Sequence, residues 1–456
     1  MIEDLHTKQH RMLETPVNKL ILSLSIPSII IMLITAVYNL ADTYFVSGLG
    51  TSATAAIGVV FSLMGLIQAI GFLFGHGSGN YMSRKLGAEE FDRAEAMAST
   101  GFFLSLFSGV MLAIIGLIFL DPFMQLLGAS ETMLPYARDY ARWILIAAPF
   151  MTSSLTLNNQ LRFLASAKMA VYGMVAGAVL NIGLDPLFVY VFHWGAGGAG
   201  LATCISQIVG FSILLATTRR KGNIPIRWKN FTPNRYHYRE IIRGGSPSLL
   251  RQMCNSLGIL YFNHAAGAFG DQAVAAISIV QRVSMFAIQA LLGFGQGFQP
   301  VCGFNYGAKR YDRVIKGFMF CLKIISVSLI IIAIFGAIFA PEIIAAFRAD
   351  DPDVIAIGTI TLRFQCITIP FMGFVVLCNM MLQTIGETGK ASLIAIARSG
   401  LFLIPSILIL VSSFGLSGVE TAQLVADVLT LLLTIPLVLG TFKDMRMKLD
   451  RMKSTQ

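Results

Sequence analysis

The chain has 456 residues, 55% of them apolar and only 13% charged, with a formal charge of +10. So apolar a composition excludes soluble globular domains of this length. The basic residues are dispersed over separate loops and not gathered in one patch, which argues against nucleic-acid binding, so the chain reads as a polytopic membrane protein.

In chain order, residues 1–19 carry Glu3, Asp4 and Glu14 and no apolar stretch, so they read as a cytoplasmic tail and not as a cleavable signal. Apolar segments of about 20 residues or more follow at 20–46, 53–80, 95–120, 136–161, 169–192 and 198–218, the expected N-lobe. A basic cytoplasmic linker at 219–240 leads to segments at 241–265, 273–302, 314–345, 355–384, 391–412 and 417–442, the expected C-lobe, and residues 443–456 form a second tail. Twelve spans place both termini on one side. The tails and even-numbered loops hold most of the Lys and Arg, with eight between Arg219 and Arg243, whereas the odd-numbered loops hold only Arg348. Positive charge stays inside, so both termini are expected in the cytoplasm of a bacterial (inner) membrane protein.

Two spans carry a carboxylate. Span 1 reads Tyr38-Asn-Leu-Ala-Asp42-Thr-Tyr-Phe-Val and span 5 reads Asn181-Ile-Gly-Leu-Asp185-Pro-Leu-Phe. A charge inside a bilayer is expensive, which makes both acids functional candidates. Each has a polar side chain four residues earlier, on the same helical face. At 1.5 Å per residue the acids lie roughly 6 and 10 Å below the outer boundary, so they can meet. Thr203, near the start of span 6, falls at a similar depth on the return path. Thr35 shares the face of Tyr38 and Asp42, and Met174 that of Asn181; these four of span 1 and span 5, Thr35, Tyr38, Met174 and Asn181, are the expected lining of a substrate cavity.

Residues 27–93 match 247–313 at a constant offset of 220 without gaps, including Pro27/Pro247, Gly50/Gly270, Phe74-Gly75/Phe294-Gly295, Gly87-Ala88/Gly307-Ala308 and Asp92-Arg93/Asp312-Arg313. The expected fold class is therefore an all-α polytopic membrane protein of twelve transmembrane helices, in two six-helix lobes related by a pseudo-twofold axis along the membrane normal. At that offset Asp42 faces Phe262 and Asp185 faces Pro405, so the second lobe lacks both acids. Requirements of folding act on both copies, whereas a coupling site needs only one. In the second lobe Arg251, Arg282, Arg363 and Arg398 fall inside spans, with Asp427 as a partner for structural ion pairing or as a cavity-lining charge.

Other signals carry less. Gly75-His-Gly-Ser-Gly-Asn80 has the glycines of a phosphate loop but no preceding strand, so close helix packing explains it better. His76, His193, His237 and His264 are scattered, and no HExxH or GxSxG pattern supports an enzyme. The six cysteines lie in spans at no metal-ligand spacing. No filter-like segment suggests a channel.

Taken together, Asn39-Leu-Ala-Asp42-Thr-Tyr-Phe-Val, Asn181-Ile-Gly-Leu-Asp185-Pro-Leu-Phe, Gly200-Leu-Ala-Thr203 and Gly295-Gln-Gly-Phe-Gln-Pro-Val-Cys-Gly-Phe-Asn-Tyr-Gly-Ala308 resemble the multidrug and toxic compound extrusion (MATE) transporters over nearly the whole chain. The first-lobe acids resemble the DinF-like branch, and the wording its bacterial MepA-like members. The resemblance implies a monomeric antiporter without cofactor or structural metal, exporting amphipathic, mainly cationic drugs against H⁺ or Na⁺. It maps the coupling-cation site, including any bound Na⁺, onto Asp42, Asn181, Asp185 and Thr203, with Tyr38 beside it. The chain departs from the NorM-like branch, which has a further acid in span 7 where Asn255 stands here. A lipid-linked precursor or polysaccharide flippase of the same superfamily is the alternative, favoured by a cationic cavity.

Overall fold

The computed structural model describes residues 2–47, 51–347 and 351–454, without the side chains at 2, 38–47, 51 and 271. The side chains of Tyr38 and Asp42, and all of Arg348, therefore lie outside the described residues. Among those described there is no strand. A hydrocarbon medium offers the backbone no partner, so helices that satisfy their own N–H and C=O groups are the solution such a composition dictates.

A short amphipathic helix α1 (Ile2–Glu14) precedes α2 (Val17–Ser47), α3 (Thr51–Gly87) and α4 (Phe91–Ile118). The short α5 (Leu120–Leu126) leads to α6 (Leu134–Phe163), α7 (Ala167–Pro186) and α8 (Gly195–Thr218). The second half repeats the order with α9 (Arg235–Gly267), α10 (Asp271–Gly307), α11 (Tyr311–Ile338), the short α12 (Ala340–Ala345), α13 (Pro352–Ile385), α14 (Thr388–Ile396), α15 (Leu403–Phe414) and α16 (Leu416–Ser454). Among the described residues ten helical segments are long and apolar enough to cross a membrane. The segments expected as spans 4 and 7 form α6 and α9, which fall outside that set and carry polar groups, among them Asn158, Asn159, Gln160 and Arg162 on α6.

Local chemistry sets the ends. Asn234 caps α9 by accepting from the His237 amide at 2.8 Å, and Asp351 caps α13 through the amides of Asp353 and Val354 at 3.1 and 3.3 Å. Pro186 has no N–H to give and interrupts the ladder of α7. A π-helical turn, Leu187–Val191, follows and closes with Phe192 N donating to Leu187 O at 2.9 Å. Span 11 carries the equivalent interruption, Ala397–Leu401, between α14 and α15, closed by Phe402 N to Ala397 O at 2.9 Å.

The duplication is written into the backbone as well. Glu89 and Lys309, 220 residues apart, both turn the chain with left-handed φ of 63° and 59°. Each follows the same closure, Glu90 N to Lys85 O at 2.9 Å and Arg310 N to Asn305 O at 2.8 Å.

The halves meet along a seam where helices touch backbone to backbone. A Cβ on Gly77 or Gly245 would collide with the carbonyl of Ile241 or Leu73, joining α3 to α9. On α10, Gly293 and Gly297 lie against Ile29 and Ser25 of α2, and Gly303 and Gly307 against Ser83 and Arg84 of α3. These contacts involve the first half of α2, the last of α3, the first of α9 and the last of α10, so all lie toward the end of the molecule that carries the N-terminus. At the other end Gly58 and Gly65 of α3 and Gly267 of α9 face open space. The halves are thus sealed at the terminus-bearing end.

Candidate functional site

Asn181 and Asp185, one turn apart on α7, and Thr203 on α8 are completely buried. In the amide orientation that satisfies both ends, Asn181 Nδ2 donates to Asp185 Oδ2 at 2.9 Å, and its Oδ1 accepts from Thr203 Oγ1 and the Thr203 amide at 3.3 Å. Three residues selected from the sequence therefore share one cluster. The acid sits immediately before Pro186 and the π turn, where the regular ladder is already broken, so this part of span 5 can repack without losing a full set of backbone bonds. Of the remaining expected residues, Thr35 spends its hydroxyl on Ile31 O at 2.8 Å, and Met174 packs beside an apolar cluster that includes Ile31, Leu157 and Leu214. Asp42 and Tyr38 lie on the helical backbone of α2 with their side chains outside the described residues.

The C-lobe holds its acid differently. Arg398, in the π turn of span 11, donates through Nε to Asp427 Oδ1 at 2.8 Å, and Gln423 Nε2 reaches the same oxygen at 2.9 Å. This is the structural ion pairing expected for Asp427. Arg282 and Arg363 are exposed, the latter bonding Ala337 O at 3.2 Å, and Arg251 donates to Asn379 Oδ1 at 3.2 Å.

Two regions escaped the sequence reading. Arg162, assigned there to a basic loop, lies in the last turn of α6 with 1% of its surface exposed and contacts His76 Nε2 at 3.4 Å and Asn159 Oδ1. The glycines around His76 pack as expected, Gly75 against Asn159 and Gly79 against Phe163. The expected N-terminal tail contains α1, which buries Leu5, Gln9 and Met12 across the seam. Its Gln9 bonds Gly87 O and Glu89 at 3.4 and 3.1 Å on the first half. On the second half Arg313 binds Thr15 O at 2.6 Å and Arg310 pairs with Glu14 at 2.9 Å. Lys8 bonds Ser166 and, at 3.1 Å, Asn223. Burial, with Arg11 adding repulsion, pushes its ammonium down to about 8. The signal for α1 was available in the i, i+4, i+7 spacing of Leu5, Gln9 and Met12 with Arg11 near its end, but a stretch of 13 residues is marginal by itself.

The MatE family model matches residues 27–187 and again 247–409, starts that are 220 residues apart. The chain belongs to the MatE family. It is similar to the multidrug export protein MepA of Staphylococcus haemolyticus (strain JCSC1435), at 28% identity with 91% of each chain covered. The MepA of Staphylococcus aureus (strain MSSA476) is 27% identical over 93% of this chain and 94% of its own. Among solved structures, a MATE in complex with MaL6 superposes with a TM-score of 0.90 at 28% identity, covering 96% of this chain and 98% of that one. An outward-facing multidrug resistance MATE family transporter of the MOP superfamily gives 0.89 at 28% identity and the same coverage. The chain is thus a multi-pass membrane protein of this family, and both the repeat and the all-α fold read from its sequence are borne out.

Proposed function

We propose that this chain exports amphipathic, mainly cationic molecules in exchange for H⁺ or Na⁺, through a coupling site of Asp42, Asn181, Asp185, Thr203 and Tyr38 in the N-lobe. The observation that carries the reading is the complete burial of Asp185 beside the Asn181 amide, which Thr203 anchors. Burying an ionised carboxylate is costly, and binding a proton or a small cation offsets that cost. When the cation leaves, an acid pair in a low-dielectric cleft attracts a cationic substrate, and the two ligands exclude one another. Closely spaced carboxylates share protons, so the titration belongs to the pair. Thr35, Tyr38, Met174 and Asn181 face the substrate.

By the bias of Lys and Arg the sealed end is cytoplasmic in a bacterial cell membrane, and the protein stands outward-facing. The export function named for the MepA relatives, and the outward-facing conformation named for one solved relative, support this reading. Lobes of 20–218 and 241–442, joined by the basic linker, are the moving bodies, and the protein works as a monomer. The test is efflux of an ethidium-like cation from reconstituted vesicles with pH and Na⁺ gradients imposed separately. Uptake of one ion matched to efflux is expected; efflux indifferent to both gradients overturns the reading.

A further inference from the structure

A second polar centre lies on the seam, away from Asp185, and its charge has the opposite sign. Arg162 projects from the last turn of α6 with 1% exposure, beside His76 of α3 at 2%. Arg251 projects from α9 of the other half, the helix that crosses α3 at this point, and donates to Asn379 Oδ1 at 3.2 Å. His76 precedes Gly77, the residue where α3 and α9 cross against Ile241 and Gly244, so His76 and Arg162 sit beside the lobe contact and Arg251 lies two turns further along α9 from Gly244.

Their protein partners are neutral. Arg162 touches His76 and Asn159, Arg251 touches Asn379, and among the described residues neither guanidinium forms an ion pair with a carboxylate. A fully buried guanidinium without an anion is costly, and a second one, the half-buried Arg251, stands on the facing helix. Neighbouring groups are also left without partners. Arg162 Nε and Asn158 Nδ2, one turn apart on α6, are buried donors without an acceptor, His76 Nδ1 is also without a partner, and on α3 both side-chain atoms of Asn80, donor and acceptor, are unpaired. Buried groups of this kind are normally satisfied.

We infer that Arg162, His76 and Arg251 form an oxyanion-binding site between the lobes, which admits a phosphate or carboxylate group when α3 and α9 part and holds it once they close. A planar guanidinium fork beside an imidazole and an amide suits two oxygens of one group better than a spherical ion. Arg162 and His76 belong to one half and Arg251 to the other. An anion bridging them neutralises the cross-seam repulsion, so it favours the sealed state. The group is supplied either free, as inorganic phosphate, or as the acidic part of a transported molecule. This inference goes beyond the export reading and does not depend on Asp185.

The test uses the full chain in detergent, titrated with inorganic phosphate at constant ionic strength and read by thermal midpoint and calorimetry. Saturable binding is expected. Arg251→Gln should weaken it about tenfold, the factor of one lost charge-assisted bond. Arg162→Lys keeps the charge but loses the fork, and should weaken it by a similar factor; using Arg251→Gln beside it guards against misfolding at the fully buried position. In vesicles, a carboxylate-bearing substrate and its methyl ester are then compared. A preference for the acid that vanishes in Arg251→Gln identifies the transported molecule as the source; phosphate binding without such a preference identifies the free anion. Absence of saturable phosphate binding together with absence of the preference overturns the inference, as does phosphate binding that both substitutions leave unchanged.

Discussion

Each lobe buries a carboxylate beside a π-interrupted helix, yet the two are held by opposite chemistry. In the first half Asp185 accepts from the Asn181 amide, which is itself anchored on Thr203. In the second half Asp427 is clamped by Arg398 at 2.8 Å and by Gln423 at 2.9 Å. A guanidinium carries a fixed positive charge, and here it binds its carboxylate directly. On the export reading proposed above, side-chain choice makes the first acid a switch and the second a strut.

The contrast can be broken by substitution. Asp185→Asn is nearly isosteric and removes the titrating charge; vesicle efflux under either ion gradient should fall to background while membrane abundance is kept. Next in size is the seam that must transmit the change. Gly245→Ala puts a Cβ into the Leu73 carbonyl and should prise α9 from α3, raising the labelling of cysteines introduced at the seam from the terminus-bearing side and cutting efflux severalfold. Asp427→Asn alone should cost about 2–3 kcal/mol by stranding Arg398, which retains some exposure, and lower the thermal midpoint. Adding Arg398→Gln should restore much of that loss, and efflux per folded molecule should stay near the parent value throughout. The smallest effect concerns the α1 strap. Because burial holds Lys8 near 8, below the usual 10.5, the unfolded chain binds more protons between those values, so stability should rise with pH across that window. Lys8→Met should remove that slope in the thermal midpoint.

Much of this was legible beforehand because the bilayer makes sequence rules strict. Long apolar runs and the 220-residue offset pointed to the all-α duplicated fold, and the cost of charge in hydrocarbon singled out Asp185, with Asn181 and Thr203 beside it. Arg162 was hidden because it lies one residue before the end of α6, where a basic residue reads as loop; only packing against His76 reveals its burial. The strap was hidden because α1 is held by residues from distant parts of the chain, Arg310, Arg313, Ser166 and Asn223. The π turns were hinted at by Pro186 and Pro405 but not located by them, since a proline permits several local repairs of the ladder.

The most direct measurement is release of H⁺ or Na⁺ from the purified protein when an ethidium-like cation is added, compared across parent, Asp185→Asn and Asp427→Asn. Release by the parent and by Asp427→Asn, with none from Asp185→Asn, is the result expected if exchange resides in the first half. Undiminished release from Asp185→Asn, or its loss in a folded Asp427→Asn protein, would contradict that assignment.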